Sequence, residues 1–163
     1  PPISTLFPYT TLFRSLGNIV FPVPSLLPET INSIFPGMQL LHPATILDNW
    51  LNKLPDRKEN SLMFYFSKNS FSLLIYSKSK LLVSNSFVYQ NSNDVVFYVI
   101  SILKQIKLMP VNTSLYLTGE ILPNREMYNS LKKFFNSIIF LSPEIHVDTE
   151  YFKEPLHRFI VLF

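Results

Sequence analysis

Residues 62–89 read Leu62-Met63-Phe64-Tyr65-Phe66-Ser67-Lys68-Asn69-Ser70-Phe71-Ser72-Leu73-Leu74-Ile75-Tyr76-Ser77-Lys78-Ser79-Lys80-Leu81-Leu82-Val83-Ser84-Asn85-Ser86-Phe87-Val88-Tyr89. Three apolar, aromatic-rich runs stand here in quick succession: Leu62–Phe66, Phe71–Tyr76 and Leu81–Tyr89. Each has strand length and strand composition. The joins Ser67–Ser70 and Ser77–Lys80 are polar and of hairpin length, so the three runs predict an antiparallel meander. In the third run Leu82, Ser84, Ser86 and Val88 alternate with Val83, Asn85, Phe87 and Tyr89, the period of a sheet with one face partly wetted.

Downstream the period changes. Asn91 or Ser92 can cap a helix with Asp94 in its first turn, and Val95, Val96, Val99, Ile100, Leu103 and Ile106 form its apolar stripe. Lys104 and Lys107 suit its C-terminal end, and Pro110 stops it. Ser114–Thr118 reads as a fourth strand running into Gly119. Asn124 then predicts a helix cap, with Tyr128, Leu131, Phe134 and Phe135 inward, and Ile138–Leu141 a fifth strand. Pro155 opens a last apolar helix that is still in pattern at Phe163. From Leu62 the order is therefore β-β-β-α-β-α-β, a ribonuclease-H-like mixed sheet with helices packed on it.

Upstream, Asn18–Val23 and Met38–Leu41 read as short strands. Between them Ser25 caps a helix carrying Leu27, Ile31 and Ile34, which Pro36-Gly37 ends. Pro43 opens another, with Ile46, Leu47, Trp50, Leu51 and Leu54 on one face and Pro55 at its end. That is a β-α-β-α lead-in to the meander. Residues 1–15 are set apart: Thr5–Ser15 back-translates, codon for codon, to the end of a common short-read sequencing adapter, so they are excluded from the fold as non-native.

Composition narrows the function classes. The chain has 163 residues, no Cys and a single alanine, Ala44, while residues with A/T-rich codons abound. Without Cys there is neither a disulfide framework nor a thiolate metal site. The net charge of +3, one less without Arg14, is small, and the pairs Lys78/Lys80 and Lys132/Lys133 form no basic stripe. Nucleic acid is not an expected partner. A nuclease of this fold would need clustered carboxylates on the central strands, and these strands carry none. No run reaches the ~18 apolar residues of a membrane span. His42, His146 and His157 lack metal-ligand spacing, so no metal site is expected. Glu120 and Glu126 make a weak acid/base pair, and neither a nucleophile elbow nor a Walker loop is present.

The element order, with its Leu117-Thr118-Gly119 strand end, resembles the actin-like superfamily of sugar kinases, Hsp70 and actin. More narrowly, Phe71–Tyr89, Val95–Leu108, Leu115–Ile121 and Pro155–Phe159 resemble the bacterial family catalogued as domain of unknown function 3822, common in Bacteroidetes. The resemblance implies two subdomains: residues 16–55 as the C-terminal part of a first, and 61–163 as a second, truncated in its last helix. It also implies an N-terminal half beyond this chain and apolar surface where that half would pack. Nucleotide-binding members open each meander with an Asp-x-Gly hairpin, the Asp holding the metal through water and the Gly admitting phosphate to backbone amides. Here that hairpin is Ser67-Lys68-Asn69-Ser70, with no Asp, Glu or Gly, and the expected Gly-Gly pair is Gly119-Glu120. Ser67, Asn69, Ser70, Gly119 and Glu120 are thus remnants of a nucleotide site with no catalytic residue. What the resemblance implies is a cytoplasmic bacterial pseudoenzyme, a scaffold or protein-interaction domain with a protein partner and no cofactor. The alternative is an ATP-binding protein or kinase, using ATP and Mg, whose first catalytic loop lies in the N-terminal half.

Overall fold

In the computed structural model of the chain the described residues are 23–38, 40–78, 80–142 and 155–158. The adapter-like stretch, nearly all of the strand expected at Asn18–Val23, His146 and the chain after Arg158 lie outside them. Helices α1 (Leu26–Ile34) and α2 (Pro43–Lys53) come first. The meander β1 (Asn60–Phe66), β2 (Ser70–Ser77) and β3 (Lys80–Val88) follows, then α3 (Ser92–Gln105), a 3-10 turn at Pro110–Asn112, β4 (Ser114–Gly119), α4 (Glu126–Lys132) and β5 (Ser137–Phe140). From β1 onward this is the expected β-β-β-α-β-α-β order.

The five strands form one sheet in the order β3-β2-β1-β4-β5. The hairpin pairs β1/β2 and β2/β3 are antiparallel, whereas β1/β4 and β4/β5 are parallel. Helix α3 supplies the long crossover that a return to parallel pairing requires, and α4 supplies the short one. β1 is central, and its seven residues are buried but for its first residue and Tyr65.

Strand alternation sorts the core into two layers. Leu62, Phe64, Phe66, Phe71, Leu73, Ile75, Leu115 and Leu117 face Val95, Val99, Ile102 and Leu103 of α3 and Leu131 of α4. On the opposite face Met63, Leu74, Tyr76 and Tyr116 meet Ala44, Leu47 and Leu51 of α2. Trp50 and Leu54 lean on that second layer, as the α2 stripe predicts. A sheet covered on both sides explains why β1 and β2 read as nearly continuous apolar runs rather than alternating ones.

Two helix starts are built from side chains. Asn91 accepts from the backbone amides of Asn93 and Asp94, while Asp94 accepts from those of Gln90 and Asn91, a reciprocal capping box. Asn91→Ala removes one half of it. It is expected to cost about 1 kcal/mol, read from the urea midpoint at unchanged slope. At α2, His42 Nδ1 accepts from the Ala44 amide at 3.1 Å, ahead of Pro43 in the first turn.

Several expectations are corrected. Ser25 has helical backbone angles and makes no side-chain cap bond, so α1 starts without one. Met38, Leu40 and Leu41 are irregular and exposed, not a strand, and among the described residues no strand lies beside them to offer a ladder. Asn124 adopts φ +61, a left-handed turn position that Asn tolerates, and α4 begins after Arg125 with no side-chain cap. Phe134 points out, since α4 ends at Lys132 and the chain turns there, the Phe134 amide donating to the Leu131 carbonyl, so that Phe135 alone goes in. No described helix is long and apolar enough to cross a membrane.

Candidate functional site

β1 and β4 run parallel in the register Ser61↔Ser114 to Phe66↔Gly119, so both strands end together at Phe66 and Gly119. The C-terminal end of parallel strands is where folds of this class place ligands. The 67–70 hairpin leaves from Phe66 and the Glu120 turn leaves from Gly119. All five residues singled out from the sequence, Ser67, Asn69, Ser70, Gly119 and Glu120, are therefore gathered at one end of the sheet.

Gly119 sits at φ +84, in left-handed space. A Cβ built on it would lie 2.1 Å from the Phe66 carbonyl oxygen, 2.7 Å from the Phe66 nitrogen and 2.9 Å from its carbonyl carbon. The next amide, that of Glu120, donates to the same Phe66 oxygen at 2.8 Å. The space a glycine opens here is filled by the protein's own β1 backbone.

The hairpin is similarly occupied with itself. The Ser67 amide donates to the Ser70 carbonyl at 2.8 Å, and the Tyr89 amide to the Asn69 carbonyl at 3.0 Å. The Tyr89 hydroxyl reaches the carbonyls of Ser67 at 3.2 Å and Lys68 at 3.4 Å. Tyr89 thus ties the end of β3 across the β1–β2 turn. Its ring meets Phe66 edge-on and tilts against Phe71, which fixes it in place.

Burial pushes the titrations of Tyr65 and Tyr89 above the ordinary phenol value, and the negative charge of Glu120 pushes both further the same way. Tyr65 belongs to the α2 side of the sheet and Tyr89 to the α3 side. Glu120 therefore lies at the rim between the two faces, itself exposed. The exposed Glu120 carboxylate and the Ser67, Lys68 and Asn69 carbonyls, which accept from Tyr89, are poor partners for a phosphate. Lys68, exposed at the turn, is the cation this hairpin carries.

Glu126 does not partner Glu120 as an acid/base pair would require. It accepts from the Ser92 hydroxyl at 2.6 Å and so pins the start of α4 to the start of α3. His42 is the α2 cap, its titration lowered by burial, and His157 holds a turn described below. Among the described residues no three His, Cys, Asp or Glu side chains gather closely enough to hold a metal ion.

Tyr65, Tyr89 and His157 were not singled out from the sequence as parts of this end of the sheet, whereas Thr118 belonged to the Leu117-Thr118-Gly119 strand end. For Tyr89 a signal existed: it ends an alternating strand two residues before a helix cap, which obliges it to lie beside the first hairpin. For His157, at the far end of the chain, there was none.

No curated protein matches the chain. Among solved structures it is similar to a crystal structure from Bacteroides thetaiotaomicron, a protein with an actin-like ATPase fold and unknown function. The TM-score is 0.63 at 20% identity, over 78% of this chain and 50% of that one, so the chain spans half the length of that protein. The fold is thus actin-like. Residues 9–138 match the model of the family described as protein of unknown function DUF3822, a match that begins inside the adapter-like stretch, and the chain belongs to that family.

Proposed function

We propose that this chain is a non-catalytic actin-like domain, a cytoplasmic scaffold that works by contact with another protein and uses no cofactor. The observation that carries the reading is the seat of Gly119. A glycine kept for phosphate would present open backbone to a ligand, whereas this one is closed by Phe66 at 2.1 Å from its virtual Cβ. The neighbouring groups support the same reading. The Ser67–Ser70 hairpin offers no carboxylate for a metal, and Glu120 stands where the superfamily's second glycine would be. Exposed apolar side chains on α1 and after it, Leu26, Ile34, Phe35 and Met38 among them, favour the contact role. They suit a first subdomain that includes the residues before α2. Of the expected division into 16–55 and 61–163, α2 itself packs through Ala44, Leu47 and Leu51 into the core of the second part.

Isothermal titration of the chain with ATP and magnesium tests the proposal. No heat of binding is expected up to millimolar nucleotide, and micromolar binding would overturn it. A second reading, an ATP-binding protein whose other loop lies beyond this chain, draws on the half-length coverage of the Bacteroides protein. The same titration on a homologue of full length separates the two, since only the second reading expects binding there.

A further inference from the structure

Pro155–Arg158 forms a single turn, closed by the Arg158 amide donating to the Pro155 carbonyl at 3.1 Å. Its anchoring is out of proportion to its size. The hydroxyl of Thr118, on β4, donates to the carbonyl of His157, 39 positions away. The His157 ring returns the contact: its Nε2 lies 2.6 Å from the carbonyl of Ile121. A carbonyl only accepts, so the ring carries a proton on Nε2 and donates it there. The same ring rests 4.8 Å from that of Phe140, on β5, tilted by 57°. His157 and Thr118 are 5% and 0% exposed, so both bonds are closed to water and neither group has solvent to fall back on.

The turn after β4 is therefore held from two sides. β1 grips it through the Glu120 amide and the Phe66 carbonyl. The 155–158 turn grips it through Ile121 and, one residue before Gly119, through Thr118.

We propose that Pro155–Arg158 is a strap whose seating sets the shape of the Gly119–Ile121 turn, so that release of the strap and loosening of the strand end are one opening event. Displacing the strap breaks the bonds at Thr118 and Ile121 together and removes the Phe140–His157 contact, so the turn loses one of the two sides that hold it. A partner that takes hold of residues 155–158 would thereby alter the rim on which Glu120 stands.

Native-state hydrogen exchange against urea tests this in the unmodified chain. The amides of Glu120, Ile121 and Arg158 should follow one common isotherm, opening below the free energy of global unfolding that the amides of 62–66 report. Separate isotherms, or merger with the global one, would overturn the proposal. Two substitutions then address the bond itself. His157→Phe keeps an aromatic ring but removes the donor, and Thr118→Val removes the second bond. Both should speed exchange at Glu120, Ile121 and Arg158 together by roughly tenfold, and lower the global free energy that 62–66 report by the same amount. The bonds are absent from the open and the unfolded states alike, so the gap between the two isotherms is unchanged. Unchanged protection at Ile121 in His157→Phe sinks the idea, and so does a narrowing of the gap between the local and global isotherms, which would mean that the strap stays seated when the strand end opens.

Discussion

Gly119→Ala is expected to lower stability by about 3–5 kcal/mol, enough to move the thermal midpoint of a chain this size by roughly 10 °C. Two penalties combine. An alanine at φ +84 is strained wherever it occurs, which costs on the order of 1–2 kcal/mol. The larger part is steric: the new methyl would enter the Phe66 backbone, 2.1 Å from its oxygen and 2.7 Å from its nitrogen. Those atoms belong to the central strand, paired on one side to β2 and on the other to β4, so they cannot turn aside as a flexible side chain would. The Glu120 bond to the Phe66 carbonyl must stretch or break as well. Gly37 provides the control. It has nearly the same angle, φ +82, but nothing within 4 Å of its virtual Cβ. Gly37→Ala should therefore cost only about 1 kcal/mol, the strain without the collision. Urea denaturation of the two variants side by side decides the matter. Equal losses would mean that β4 does not approach β1 as described, and the reading of Gly119 as a packing glycine would fall with it.

The contrast between these glycines also shows what the sequence could and could not announce. From Leu62 onward, each strand and helix declares itself through local period and composition, and the meander of β1, β2 and β3 follows from connection lengths. The pairing of Phe66 with Gly119, which decides what that glycine is for, joins residues far apart in the chain. Only the assembled sheet brings them together. The errors are of the same kind. Met38–Leu41 has strand composition, but a strand exists only with a partner, and composition says nothing of partners. Asn124 suits both a helix cap and a left-handed turn, and the turn won because the chain leaving β4 has to reverse before α4. Phe134 and Phe135 are indistinguishable by type, so a single residue's difference in where α4 ends decided which is buried. At the candidate site, the common location of Ser67, Asn69, Ser70, Gly119 and Glu120 was legible because they flank strand ends. The closure of the hairpin by Tyr89 was not, since it depends on carbonyls that any residue carries.

Phe71→Ala is expected to cost about 4 kcal/mol, the other large effect in the molecule. Phe71 is 1% exposed at the start of β2 and meets aromatic rings of three other elements. Its ring lies 5.3 Å from Phe64 and 5.8 Å from Phe66 on β1, 5.1 Å from Phe87 on β3 and 6.4 Å from Tyr98 on α3. Truncation would open a cavity bordered by strands on both sides, where the backbone cannot collapse inward to fill it. It would also remove the surface against which Tyr89 tilts, 6.1 Å away, and so loosen the bonds that Tyr89 makes to Ser67 and Lys68. Ring geometry should be separable from burial. Phe71 and Phe87 are stacked at 24°, and a double-mutant cycle of Phe71→Leu with Phe87→Leu should return a coupling of about 1 kcal/mol. Phe97 sets the baseline. It is 63% exposed and touches Tyr98 only edge-on, so Phe97→Ala should change stability by no more than about 0.5 kcal/mol. If Phe71→Ala proved as mild as Phe97→Ala in the same urea series, the α3 face of the sheet could not be the principal core. Tyr89 would then have no fixed platform from which to close the hairpin, and the account of the strand end as a sealed, self-occupied site would lose its structural basis.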